Sequence, residues 1–212
     1  MYSFFKGRYT VLYTLLVIVA LIILFFAVRK DTYNNDSAIT IILAPHTSDV
    51  MTSVSDLISL GKDKTIAAVF FVGNPEAGTT TLPALTTFKH VELRDFAYTD
   101  PAGNDQASLV QTDISKDIQT LIASAGDKKI KVYAPALYTA EITHPAHALL
   151  HNAFIDVVRS YPNENVEFYI YEDQPYAGTF FRSSPMSLQR NLENTSGLVI
   201  EKVDRYYRVS PY

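Results

Sequence analysis

One stretch constrains this chain of 212 residues more than any other. Tyr9 to Val28 reads YTVLYTLLVIVALIILFFAV, twenty residues without a charge. At a rise of ~1.5 Å per residue, a helix of that length spans about 30 Å, the hydrocarbon thickness of a bilayer. Apolar side chains lie on every side of it, which suits lipid better than one face of a soluble core. Tyr9, Tyr13, Phe25 and Phe26 fall near its ends, where aromatic rings favour the membrane interface. A secretory signal would carry an apolar run of about 7–15 residues followed by a small-residue cleavage site. Here the run ends in Val28-Arg29-Lys30 with no such site. The expectation is an uncleaved, single-pass anchor at 9–28, after a short tail at 1–8 and before a linker at 29–37. Lys6 and Arg8 before the run, set against Arg29 and Lys30 beside Asp31 after it, give a slight bias towards an extracytoplasmic domain.

Charge separates the same two regions. Residues 1–37 hold four basic and two acidic side chains, a net +2, and the remainder holds 14 basic and 20 acidic, a net −6. An acidic domain without a basic stripe is a poor partner for phosphate backbones, so nucleic-acid binding is excluded. The absence of cysteine removes disulfide scaffolds, zinc ribbons and thiol catalysis.

From Ala38 onward, compact β-branched runs alternate with helical spacing. Ile39–Leu43, Thr65–Val72, Val91–Phe96, Ile130–Tyr133 and Val166–Tyr171 read as strands, with Leu198–Glu201 as a last one. Helical periodicity marks Asp49–Leu60, with Gly61 as its C-cap. A second helix carries Leu109, Ile114, Ile118, Leu121 and Ile122 and ends near Gly126. A third runs from Pro145 to Tyr161, its proline fitting the first turn. Gly73–Pro83 and Pro101–Ala107 read as loops. This alternation predicts an α/β domain over 38–212, a mostly parallel sheet flanked by helices. Ligands of such sheets bind beyond the C-terminal ends of the strands.

The chemistry-bearing residues follow strands directly. His46 and Asp49 lie just past the first strand, three residues apart across a strand-to-helix turn. His144 and His147, in His144-Pro145-Ala146-His147, open the helix that follows the fourth strand. Two imidazoles and one carboxylate with a fourth position open is the ligand pattern of a catalytic zinc site. Bonds of ~2.0–2.2 Å to one ion would hold the three ligand atoms within about 4 Å of one another. The competing reading makes Asp49 a helix N-cap, and His147 and His151 surface histidines one turn apart.

These segments resemble the paired signatures of the PIG-L/LmbE-like de-N-acetylase family, A-H-P-D-D-E and H-P-D-H. This chain has Pro45-His46-Thr47-Ser48-Asp49-Val50 and His144-Pro145-Ala146-His147 in the corresponding places. Tyr171-Glu172-Asp173-Gln174-Pro175-Tyr176-Ala177 is similar to a Y-E-D-x-P-Y-A stretch of bacterial members, and order and spacing agree over 38–178. The resemblance implies a Rossmann-like domain and a zinc ion held by His46, Asp49 and His147. It implies that His144 acts as an acid or stabilises the oxyanion. The reaction would be hydrolysis of an N-acetyl group from a glucosamine conjugate, so an amino-sugar conjugate is the expected substrate or ligand, while the lipid bilayer is the partner expected from the helix at 9–28.

The departures from the pattern are equally specific. Ser48 stands where the family places its carboxylate base, Val50 replaces a glutamate, Thr47 a proline, and Ile142 a tyrosine. Residues 73–90 contain no arginine. Glu76 and Asp100 are loop carboxylates available as substitutes. The chain is also expected to be short at its C-terminus relative to the family. Two functions are therefore expected to compete. One is a membrane-anchored zinc hydrolase with an impaired base. The other is a catalytically inactive relative that keeps metal or sugar binding. An α/β protein whose histidines are incidental is the third possibility.

Overall fold

The computed structural model describes residues 38–60, 64–73, 90–137, 145–161, 163–172 and 185–211. The expected tail, anchor and linker at 1–37 lie outside them, as do Gly61, Glu76, Ile142, His144 and residues 173–177. Among the described residues, no helix is long and apolar enough to cross a membrane.

Seven strands form one sheet: β1 (Ile39–Ala44), β2 (Thr65–Val72), β3 (Val91–Tyr98), β4 (Ile130–Pro135), β5 (Val166–Tyr171), β6 (Val199–Val203) and β7 (Tyr206–Ser210). Their order is β3-β2-β1-β4-β5-β7-β6. The five strands from β3 to β5 pair in parallel, and β7 joins β5 antiparallel with β6 outside it. Composition accounts for these positions. The central strands β1 and β2 are almost continuously buried, as strands covered on both faces must be. β3 sits at an edge, and there Glu92 pairs with Lys64 and Arg94. Hydrogen bonds from those two cations hold the Glu92 carboxyl below its usual range. Charge on an edge strand also opposes pairing with another chain.

Successive side chains of a strand point to opposite faces. On one face, Ile39, Ile41, Leu43, Ile66, Phe70, Val132 and Ile170 meet the helices α3 (Asn104–Ser124) and α4 (Pro145–Ser160), with Leu192 of α5 (Pro185–Ser196) in the same cluster. α3 buries Ile114, Ile118, Leu121 and Ile122, a single stripe, and stops as the chain turns left-handed at Gly126 (φ 72°). α4 buries ten of its sixteen residues, so it lies central in its layer. On the other face, Ile42, Ala44, Ala67, Tyr133, Tyr169, Tyr171 and Tyr206 meet Val50, Val54 and Ile58 of the segment after β1.

Several expectations need correction. The single helix expected over 49–60 is two short ones, α1 (Thr47–Ser53) and α2 (Ser55–Leu60). They are broken at Val54, whose backbone is extended in φ (−135°). Val54 is nonetheless buried, so the apolar period continues through the break. α3 starts at Asn104, inside the segment expected as a loop, and Leu109 is 66% exposed rather than in the core. The last strand is one arm of a hairpin whose other arm, β7, was not expected. Asp204 occupies its turn with φ 57°, a conformation that aspartate tolerates better than most residues.

Candidate metal centre

The sheet order reverses at β1. From β1 the chain proceeds outward to β2 and β3, then returns to place β4 and β5 on the other side. At such a reversal the following segments leave in opposite directions and open a crevice above the strand ends. The ladder between β1 and β4 ends at the pair Ile42–Tyr133. Two residues further along β4 comes Pro135, which has no N–H to donate. The carbonyl of Leu43 instead accepts a hydrogen bond from the Tyr171 hydroxyl at 2.9 Å. The two central strands thus part just below the candidate ligands.

His46 occupies the N-cap position of α1, and Asp49 lies in its first turn. His147 lies in the first turn of α4, on the opposite layer. Asp49 Oδ2 is 3.1 Å from His46 Nδ1 and 3.8 Å from His147 Nε2. One ligand atom from each of the three residues lies within 4.8 Å of the others. The two imidazole centroids are 5.3 Å apart with planes tilted by 44°. The two distances to Asp49 bracket the ~3.4 Å edge of a tetrahedron built on ~2.1 Å bonds, while the 4.8 Å span of the whole group is wider than the expected limit of about 4 Å. The donor set, two imidazole nitrogens and a carboxylate oxygen, suits a divalent ion of borderline softness. Asp49 is 7% and His147 4% exposed, while His46 keeps its side chain partly open to solvent. Among the described residues no other group of three such side chains comes together.

The competing reading of these residues does not hold in its particulars. Asp49 is not the N-cap of α1; His46 takes that position without a side-chain capping bond. His147 and His151 are not surface residues. His151, one turn beyond His147, hydrogen-bonds through Nδ1 to the carbonyl of Pro135 at 2.8 Å. Burial pushes its pKa down to about 4, against the opposing effect of that bond. It is neutral at physiological pH, with Nδ1–H donating.

Ser48, at the expected base position, is exposed, and its hydroxyl lies 3.5 Å from the second carboxylate oxygen of Asp49. Asp100 is exposed beyond the end of β3, two strands away from β1. Its side chain lies beside Gly73 at the end of β2, and it is not part of the group formed by His46, Asp49 and His147. Glu172 follows β5 and accepts a hydrogen bond from Tyr207 at 3.0 Å.

Sequence reasoning missed a further set of contacts, on the segment that carries two of the ligands. Arg205, in the turn before β7, donates to the carbonyl of Ser53 at 2.9 Å, and Tyr206 bonds both carboxylate oxygens of Asp56. No local signal announces a contact between residues some 150 positions apart.

Fold and site together define an α/β protein with a mostly parallel sheet and a His-His-Asp group, able to bind a metal ion, at the point where the strand order reverses. Comparison with family models, curated proteins and solved structures yields no match.

Proposed function

We propose that this chain is a metal-dependent hydrolase of the PIG-L/LmbE-like kind, held to a membrane by residues 9–28 and acting on N-acetylated amino-sugar conjugates. One observation supports this reading above the rest. His46 and Asp49 of one segment that resembles a family signature, and His147 of the other, far apart in the chain, come together with their ligand-type atoms within 4.8 Å. Zinc is the proposed ion, because three nitrogen and oxygen ligands with an open position match its catalytic sites. When bound, it supplies Lewis acidity towards an amide carbonyl and lowers the pKa of a water.

The remaining work falls to the chain's own residues. His46, Asp49 and His147 hold the ion, the imidazoles in their neutral form as metal binding requires. Asp49 presents Oδ2 to both imidazoles, which leaves Oδ1 on the side of Ser48. Ser48 does not accept the proton in neutral water, since a serine hydroxyl without a helper is not a competent base. His144 is the proposed acid.

A second reading rests on that same Ser48. A module that binds a metal or an amino sugar without cleaving it needs no base. Both readings are tested by assaying zinc-loaded protein on N-acetylglucosamine conjugates beside Ser48→Asp. The hydrolase reading expects weak turnover that rises by about 10²–10⁴-fold in the variant, the usual contribution of a positioned base. A conjugate that binds both proteins and is cleaved by neither establishes the binding module instead. The anchor is tested by sequencing the N-terminus of membrane-extracted protein, where a start near residue 28 overturns it.

A further inference from the structure

We infer that the turn of the β6–β7 hairpin positions the metal ligand Asp49, with Arg205 and Tyr206 as positioning residues. The inference rests on the reading of His46, Asp49 and His147 as a metal site.

It starts from the weakness of α1. Seven residues, followed by six in α2, fall well below the roughly 12–15 at which a helix begins to hold itself in water. The two helices meet at Val54, where the backbone leaves helical geometry. A hinge therefore lies one turn beyond Asp49. The last carbonyls of a helix favour a cation, and α1 has no basic residue in its last turn. Arg205 supplies one from the other end of the chain. Its guanidinium donates to Ser53 O at 2.9 Å and reaches Asp56 Oδ2 at 3.2 Å, so one side chain spans the hinge from α1 to α2. Tyr206 fixes the far side, bonding Asp56 Oδ1 and Oδ2 at 3.0 and 2.9 Å, and Arg205 lies over its ring at 5.4 Å. Tyr206 is itself seated edge-on against Tyr133 of β4, at 5.1 Å. Arg205 is half exposed, so as an ion pair it contributes little to stability. Its effect is geometric. It fixes the angle between α1 and α2, and with it the place where the Asp49 carboxylate meets the imidazole of His147.

The test measures zinc affinity by indicator competition, and metal-free melting separately, on the full chain in detergent. Arg205→Met is expected to weaken zinc binding about tenfold, within the range for groups that orient metal ligands. Arg205→Lys should recover part of the loss, because it keeps a donor for Ser53 but not the fork. Arg208→Met serves as control. It breaks the 3.5 Å pair with Glu167 on the same hairpin without involving α1 or α2, and should bind zinc as the parent does. Equal zinc affinity in Arg205→Met and the parent overturns the inference. Should Arg205→Met fail to fold, Tyr206→Phe takes its place. It removes only a hydroxyl, and unchanged affinity there overturns the inference too. A parent chain that binds no zinc overturns the underlying metal reading, an outcome distinct from all of these.

Discussion

On one face of the sheet, two long helices press aliphatic stripes onto the strands. Phe154 and Phe168 meet edge to face at 5.8 Å within a continuous cluster that reaches from Ile39 to Val209. On the other face, two helices of one or two turns lie over tyrosines. Tyr133 stacks on Tyr169 at 4.9 Å, Tyr206 closes on Tyr133, and Arg205 and Asp56 tie the helices to the hairpin. Both faces are buried, but they are fixed differently. Apolar burial is large and non-directional, and it tolerates small shifts. Hydrogen bonds among few partners contribute less and specify more. The candidate metal centre takes His147 from the first kind of face and His46 and Asp49 from the second. The difference suggests that the α4 layer sets the stability of the domain while the α1–α2 layer sets the geometry of the site.

Four experiments press on that contrast, taken from the largest expected change in stability to the smallest. Phe154→Ala empties a fully buried position against Phe168 and should cost about 3–5 kcal/mol in denaturant unfolding. Zinc affinity of the folded variant should stay within about twofold. A large loss of affinity at this site would break the separation of the two faces.

His151 is the polar weak point of the aliphatic layer. Its folded pKa lies below its unfolded one, so the fold prefers the neutral ring, and protonation favours unfolding. Its contribution is complete above the unfolded pKa of ~6.5 and is lost as pH falls towards about 4. The loss amounts to roughly 3 kcal/mol at the shift given. Denaturant unfolding of the parent and of His151→Gln between pH 7 and 4 should show a shallower acid slope in the variant. Parallel slopes would remove His151 from the account.

Tyr206→Phe deletes the bonds to Asp56 and should cost only about 1 kcal/mol. A cost as large as that of Phe154→Ala would mean that the polar face also carries the fold. Asp49→Asn is expected to change metal-free stability least, by under about 1 kcal/mol. It should nevertheless weaken zinc binding by more than the ~10–100-fold cost of losing an outer-shell partner. Isothermal titration beside thermal melting separates the two effects.

What was legible in the chain divides along similar lines. β1, β2 and β5 announce themselves because strands covered on both faces must be β-branched or aromatic nearly throughout. The Val54 break was invisible, since the apolar spacing of Val50, Val54, Leu57 and Ile58 continues through it and burial alone does not report φ. β7 was hidden by its five-residue length and by Arg208, which interrupts its apolar residues and gains a partner only from the distant Glu167. Among the described side chains of α5, Leu192 is the buried apolar one. In the site, His46, Asp49 and His147 were readable as a group because each follows a strand at turn or helix spacing. The hold of Arg205 on Ser53 was not, because only the completed sheet brings β7 beneath α2.

The absence of cysteine acquires a different weight once the site is in view. A disulfide closing a loop of about 100 residues would stabilise a chain by ~4.7 kcal/mol on the chain-entropy account. This chain has no such bond to make. An ion bound at the candidate site would join Asp49 to His147, close a loop of that order and tie together the layers on either side of the sheet. Unlike a covalent bridge, such a cross-link would have a strength set by supply, about 4 kcal/mol at a free-ion concentration one thousand times the dissociation constant and falling towards zero as the ion is withdrawn. The domain would then be stiffest where and when the ion is plentiful, and its α1 segment would be the first part to loosen under scarcity.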